Sequence, residues 1–322
     1  MNEHRLSSVR LTLESHSFTD ALYGVLTGKG WFSLPKPMLA GMTGACFRFS
    51  VHRQLHPESA TAYNWMAEHL VACDLIGITA SQWAGFNFTP TFPLYLQQGI
   101  LDIKSAIDRG TAAVLWKDQF VIVNGYDDEK QLLYYLDGRS ASAQELPFAE
   151  VGQNRSPYFY YQVYENRLET DVLQVIKESY MQAVFRAETP DIMLPEAEYA
   201  CGLAAYEAIL AALQSGSYDA EGAYETFLVY AAAKRDAAKY TQAAVSYWPA
   251  SQPVAEHYAK LSTIYEEIME SEVMKEGALS APTDRFIELV YAAGAAETAA
   301  VQCIRELLRE PIANRFHDIG LR

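Results

Sequence analysis

Cysteine is scarce in this chain. Its four residues, Cys46, Cys73, Cys201 and Cys303, are too few and too scattered for a disulfide framework, and none forms a CxxC pair. Positive charge is also short: 25 Lys and Arg stand against 40 Asp and Glu, a formal net charge of −15. No dense Lys/Arg run offsets that surplus, so nucleic acid and anionic membrane surfaces are excluded as expected partners. Long apolar runs are missing too. Met1 to Arg10 has no apolar signal core, and no stretch reads as a membrane span. The expectation is a cytoplasmic protein with free thiols. The seven histidines show no HExxH or similar spacing, and Gly28-Lys29-Gly30 lacks the frame of a phosphate loop. Neither a metal nor a cofactor is expected.

Apolar residue is plentiful. Half of the 322 residues are hydrophobic and a fifth are charged, a globular composition with enough length for two cores. The charge is unevenly placed. Residues 1–166 carry 12 Lys and Arg against 16 Asp and Glu, whereas residues 167–322 carry 13 against 24.

The two parts also differ in pattern. In the first, Val9 to Leu13 alternates like a strand. A helix is expected from Ser17, with Asp20 three positions on as in a capping box and Gly28 and Gly30 at its end. Further helices are expected over Ser59 to Leu75, burying Trp65, Leu70 and Leu75, and over Leu94 to Gly110. Strands follow at Ala112–Trp116, Phe120–Tyr126 and Leu132–Leu136, the last two joined by the polar turn Asp127-Asp128-Glu129-Lys130. The aromatic run Tyr158 to Tyr164 is one more strand. Helices before an antiparallel sheet make an α+β layout.

From Leu168 the strand signal stops. Leu203, Tyr206, Leu210 and Leu213 share a helical spacing, as do Tyr258, Leu261, Tyr265 and Ile268. Pro and Gly punctuation at Pro190/Pro195, Gly216, Pro249/Pro253, Gly277/Pro282 and Pro311 cuts the region into about five helices. The expected division is therefore an α+β domain over 1–166 and an Ala-rich helical bundle over 167–322. Lys234, Arg235 and Lys239 read as a solvated basic face.

The N-terminal order carries a resemblance. A helix starts at His16-Ser17-Phe18-Thr19-Asp20, then comes Gly41-Met42-Thr43-Gly44, then Ile107-Asp108-Arg109-Gly110, then the run Gln119-Phe120-Val121-Ile122-Val123-Asn124-Gly125-Tyr126-Asp127-Asp128 and Leu136-Asp137. Over residues 9–165 this resembles the papain-like domains of bacteriocin-processing peptidases and of the butirosin-biosynthesis acyltransferase. It is similar also to Bacillus-type proteins that join such a domain to a helical C-terminal part. The resemblance implies a papain-like fold for the first part. It further implies a nucleophilic site: a cysteine at the first helix, a histidine on the strand leading to Gly-Tyr-Asp-Asp, and an orienting carboxylate. Those positions fall on Ser17, Gln119 and Asp137. A serine without a base is too weakly acidic to attack an amide, and glutamine exchanges no proton near neutral pH. Peptidase chemistry is therefore not expected.

Plainer roles stand beside these. Ser17 can simply cap its helix, Gln119 can bond backbone or Asp137, and Asp137 can make a turn. Cys46, beside Gly44, is the alternative nucleophile, but its position also suits a buried thiol, and His52 lies about 120° around a helix from it. Arg48, between Phe47 and Phe49, needs a buried carboxylate or an anionic ligand. Arg48 and Tyr126 are the candidate ligand contacts. The leading expectation is a catalytically degenerate papain-like protein that binds a small molecule or peptide. Acyl transfer through Cys46 or Ser17, and a structural or interaction role that uses the acidic helical domain, are the alternatives; a homo-oligomer is compatible with each.

Overall fold

The computed structural model describes residues 3–15, 17–275 and 277–309. His16 and Pro311, named above, lie outside them. In chain order the first half contains β1 (Glu3–Arg5), α1 (Phe18–Lys29), α2 (Lys36–Met42), β2 (Ser50–His52), α3 (Trp65–Leu75), β3 (Ile78–Phe86), α4 (Phe92–Asp108), β4 (Ala113–Trp116), β5 (Phe120–Asp127), β6 (Leu132–Leu136), β7 (Gln144–Pro147) and β8 (Tyr158–Arg167). The second half contains α5 (Val172–Glu188), β9 (Tyr199–Cys201), α6 (Ala204–Ser215), α7 (Ala220–Ala244), α8 (Gln252–Glu270), β10 (Met274–Lys275), β11 (Ala278–Leu279) and α9 (Asp284–Leu307). The fold mixes helices with an antiparallel sheet.

Six strands run in the order β3-β8-β4-β5-β6-β7, and β1 adds to β5. Every pairing is antiparallel. Because side chains alternate along a strand, the sheet has two distinct faces. Val114, Trp116, Phe120, Ile122, Tyr160 and Tyr164 belong to one core, and Leu115, Val121, Val123, Phe159, Tyr161 and Val163 to another. On the first face lies α1, drawn close because Gly24 has no side chain. A Cβ there would stand 2.1 Å from the Arg10 carbonyl oxygen and 2.6 Å from Ile122 Cδ1. The second face is covered by α4, through Phe92, Ile103, Ala106 and Ile107.

The sheet core on the α1 face continues into the second half of the chain, with no break at residue 166. Met42, Phe47 and Phe49 share it with Tyr180, Tyr206, Tyr240 and Tyr258. Gly41 lies so near the Tyr240 ring that a Cβ would sit 1.9 Å from it, and β2 pairs with β9 across the two halves. One apolar core thus spans what the pattern divides at 166/167.

Several elements differ from the sequence expectation. Val9 to Leu13 is not a strand: Val9 is buried against Gly28 of α1, and its alternation serves that packing. The stretch 59–75 splits into a short 3₁₀ turn at Pro57–Thr61 and then α3, whose buried residues are His69, Ala72 and Cys73, leaving Leu70 exposed. β3 and β7 carry no strong strand pattern. Lys234 is wholly buried, its Nζ 2.6 Å from Glu297 Oε1, and is no part of a solvated face. Helix α9 is long and apolar enough to cross a membrane by length and composition. Its Phe286, Leu289, Val290, Ala293 and Ile304 lie in the protein core.

Candidate functional site

Ser17 sits at the N-cap of α1, as its residue type and neighbours dictate. Its backbone is extended, and its Oγ accepts from the Thr19 N–H at 3.3 Å while sharing a 2.8 Å hydrogen bond with Ser15 Oγ. Asp20, in the first turn, is buried and accepts from the Glu14 and Ser15 N–H groups and from Ser15 Oγ. Lys36 Nζ reaches Asp20 Oδ1 at 2.9 Å and Glu14 Oε2 at 2.8 Å. Asp236 of α7 is 4.0 Å from the same ammonium. Burial pushes the Asp236 carboxyl up, against the pull of Lys36 and Arg235.

Gln119 and Asp137 meet, but not as side chains. The Gln119 amide donates to the Asp137 backbone carbonyl at 2.8 Å. The Asp137 carboxylate turns the other way and accepts from Arg139 N–H, Ser140 N–H and Ser140 Oγ. Partial burial would raise this carboxyl, but those donors hold it below the usual range. It is a turn residue here.

Ser17, Cys46 and Arg48 line one crevice, with Thr19, Tyr230 and Asp236. Its free volume is about 20 Å³, room for about one water. Cys46 is buried, and burial followed by the nearby Asp236 pushes its thiol up, away from a thiolate at neutral pH. Between Ala45–Phe47, a 3₁₀ turn, and β2 there is no helix joining Cys46 to His52, which stacks on His56 at 4.0 Å. Tyr126 is not brought to this crevice. It lies on the α4 face of the sheet, where its hydroxyl donates to Asp108 Oδ1 at 2.8 Å and its ring stacks on His4.

An aromatic wall stands next to Phe18. Phe18 meets Phe120 edge-on at 5.4 Å, Phe120 meets Trp116 at 5.0 Å, and Trp65 meets both Trp116 and Phe120. His69, which sequence reasoning missed, stacks on Phe18 with centroids 3.5 Å apart. Tyr160 donates to Gln82 Oε1 at 2.9 Å, so its hydroxyl accepts from His69 Nδ1 at 2.8 Å. His69 Nε2 then accepts from Tyr63 at 2.9 Å. Both ring nitrogens are satisfied in the neutral form. Burial first, then Arg48 and Arg186, hold this imidazole well below its ordinary value. Glu68 and Arg186 were also missed, since only the tertiary fold brings α3 and α5 to Arg48.

The larger hollow is on the other side of the sheet. A groove of about 650 Å³ runs between α4 and the β3–β8 end of the sheet, lined by Ser81, Trp83, Leu94, Tyr95, Asp102 and Glu165 among others. Trp83 is 47% exposed and packs on Tyr95 at 5.8 Å. Asp102 accepts from Gln98 and from the Tyr161 hydroxyl, and Glu165 accepts from Ser81 at 2.6 Å. At one end Arg109 holds Ser105. β3 is hydrogen-bonded to β8 on one side and forms the end of the sheet on the other. No group of three or more His, Cys, Asp and Glu side chains suited to a metal occurs among the described residues.

No protein-family profile matches the chain, and a search of curated proteins returns no match.

Proposed function

We propose that this chain is a non-catalytic binding protein on a papain-like frame, and that its ligand is an extended peptide seated along the β3 edge. The observation that carries the first part is the use made of the three reactive positions. Ser17 caps α1, the Gln119 amide bonds a backbone carbonyl, and the Asp137 carboxylate closes a turn. Ser17 Oγ reaches the Asp20 carboxylate only through Ser15 Oγ, and that carboxylate is paired with Lys36. Among the described residues no general base is hydrogen-bonded directly to Ser17 Oγ or to Cys46 Sγ, which speaks against acyl transfer.

The peptide reading rests on the groove. A terminal strand offers unpaired backbone groups to an added strand, and alternate side chains of that strand face the floor. Trp83 supplies an aromatic floor, and Asp102 and Glu165 supply negative charge. An acidic chain with this groove selects basic peptides by charge complementarity. Cytoplasmic residence, consistent with the four free thiols, belongs to the same reading.

A peptide array tests it. Extended segments with Lys or Arg at alternate positions are expected to bind, and Trp83→Ala and Asp102→Asn to weaken that binding by about tenfold or more, as loss of a buried aromatic or charged anchor does. Equal binding by wild type and both variants would contradict the assignment of the groove.

A further inference from the structure

One stripe of α4 forms a full side of the groove beside the β3–β8 end of the sheet. Tyr95, Gln98, Asp102, Ser105 and Arg109 all line it, at the three- and four-residue spacing of a single helical face. Trp83 packs on Tyr95 and marks one end. From Tyr95 to Arg109 the chain climbs about 21 Å along the helix. The groove therefore has an order along its length: a half-exposed tryptophan, then Asp102 about midway, then Arg109.

The charges in it have no charged partners within the chain. Asp102 accepts from neutral donors, the Gln98 amide at 2.7 Å and the Tyr161 hydroxyl at 2.5 Å. Glu165 accepts from the Ser81 hydroxyl. Neither carboxylate is in an ion pair among the described residues, and neither is Arg109, whose Nη1 donates to Ser105 Oγ at 2.6 Å. An arginine at a helix C-terminus often serves the last carbonyls of that helix. Here Lys29 does so, its Nζ donating to the Arg109 carbonyl at 2.7 Å. The guanidinium, with five N–H donors, keeps most of them for another acceptor.

We propose that the groove reads the C-terminal end of its peptide, with Arg109 holding the terminal carboxylate. This rests on the peptide reading of the same groove. At about 3.3 Å per extended residue, about three residues lead from Arg109 back to Asp102 and about six back to Trp83. The ligand class is a free C-terminus with Lys or Arg about three residues from its end and an apolar side chain about six from it. Trp83 lies late in β3, so such a chain runs antiparallel to that strand, as β8 does.

Fluorescence anisotropy with one peptide in two forms tests this. The probe is about eight residues long, with Phe and Lys at those two positions, and ends in either a free carboxylate or an amide. Wild type is expected to bind the acid about three- to tenfold tighter than the amide, as a partly exposed charge-assisted pair allows. Arg109 is exposed, so its replacement leaves the core intact. Arg109→Gln should bring the acid down to the affinity of the amide, Arg109→Lys should keep part of the difference, and Trp83→Ala should weaken both forms alike. Equal binding of the two forms by wild type would overturn the terminal reading and leave the groove a site for internal segments. A preference that survives Arg109→Gln would overturn it too. If neither form binds and no segment of the array does, the peptide reading itself has failed, and this one with it.

Discussion

The two faces of the sheet are built to opposite ends. On the α1 face, Phe120, Ile122 and Tyr160 are covered first by α1 and α3 and then by helices from the second half of the chain. Several polar groups enclosed there are tied down, Asp20 to Lys36, Glu68 to Arg186, Lys234 to Glu297 and His69 to two tyrosines, while the Tyr164 and Tyr180 hydroxyls find no partner among the described residues. On the α4 face a single helix covers Leu115, Val123 and Tyr161, and Trp83 lies half-exposed in an open groove beside it. The lesson is that Ser17 and Cys46 lie on the closed face, in a crevice with room for about one water. The larger open space is on the other face, beside α4.

Breaking the closed face should cost the most. Lys234→Ala would strand Glu297, which also accepts from Tyr206, in a buried setting. A loss of about 3–5 kcal/mol is expected in urea unfolding, as for other buried pairs cut on one side. A cost below about 1 kcal/mol would mean that the carboxylate reaches water or takes a proton without penalty.

His69 sharpens the comparison through pH. Its folded pKa lies below the unfolded value of about 6.5, so the unfolded chain binds the extra proton and stability rises with pH in that range. Acidification from pH 6.5 to pH 5 is expected to remove up to about 2 kcal/mol. His69→Gln should flatten that part of the profile, whatever it does to the absolute stability. An unchanged slope would mean that His69 titrates in the fold as it does in the unfolded chain.

Ser17→Ala should cost about 1 kcal/mol, the value of a lost helix cap, with no change in any activity. A larger loss would place more than a cap on this hydroxyl. Trp83→Ala is the smallest effect on folding, within about 0.5 kcal/mol for an exposed side chain, and yet the largest on peptide binding.

How much of this the sequence discloses depends on how local the signal is. β4, β5, β6 and β8 are legible because they are apolar or aromatic runs bounded by turns, and the Asp127 turn bonds Lys130 N–H as its residue types suggest. Ser17 as a cap is legible for the same reason. β3 is hidden because Thr79-Ala80-Ser81-Gln82 has little apolar alternation in a strand that lies at the sheet end. Val9 to Leu13 misleads, since apolar residues alternate there to pack on a helix. The Arg48 cluster is half visible: a cation between Phe47 and Phe49 demands a partner, but nothing local names Glu68, and Arg186 lies 138 residues away in sequence. Lys234 looks like a surface basic residue because its partner Glu297 is on another helix.

Intact-mass labelling of the native protein tests the central claim most directly, using iodoacetamide for thiols and a fluorophosphonate for Ser17 near neutral pH. The account predicts an inert Ser17 and a Cys46 that reacts only on unfolding, as a buried thiol raised above its usual pKa should. Rapid stoichiometric modification of either residue in the folded chain would contradict it and restore a nucleophile to the closed face.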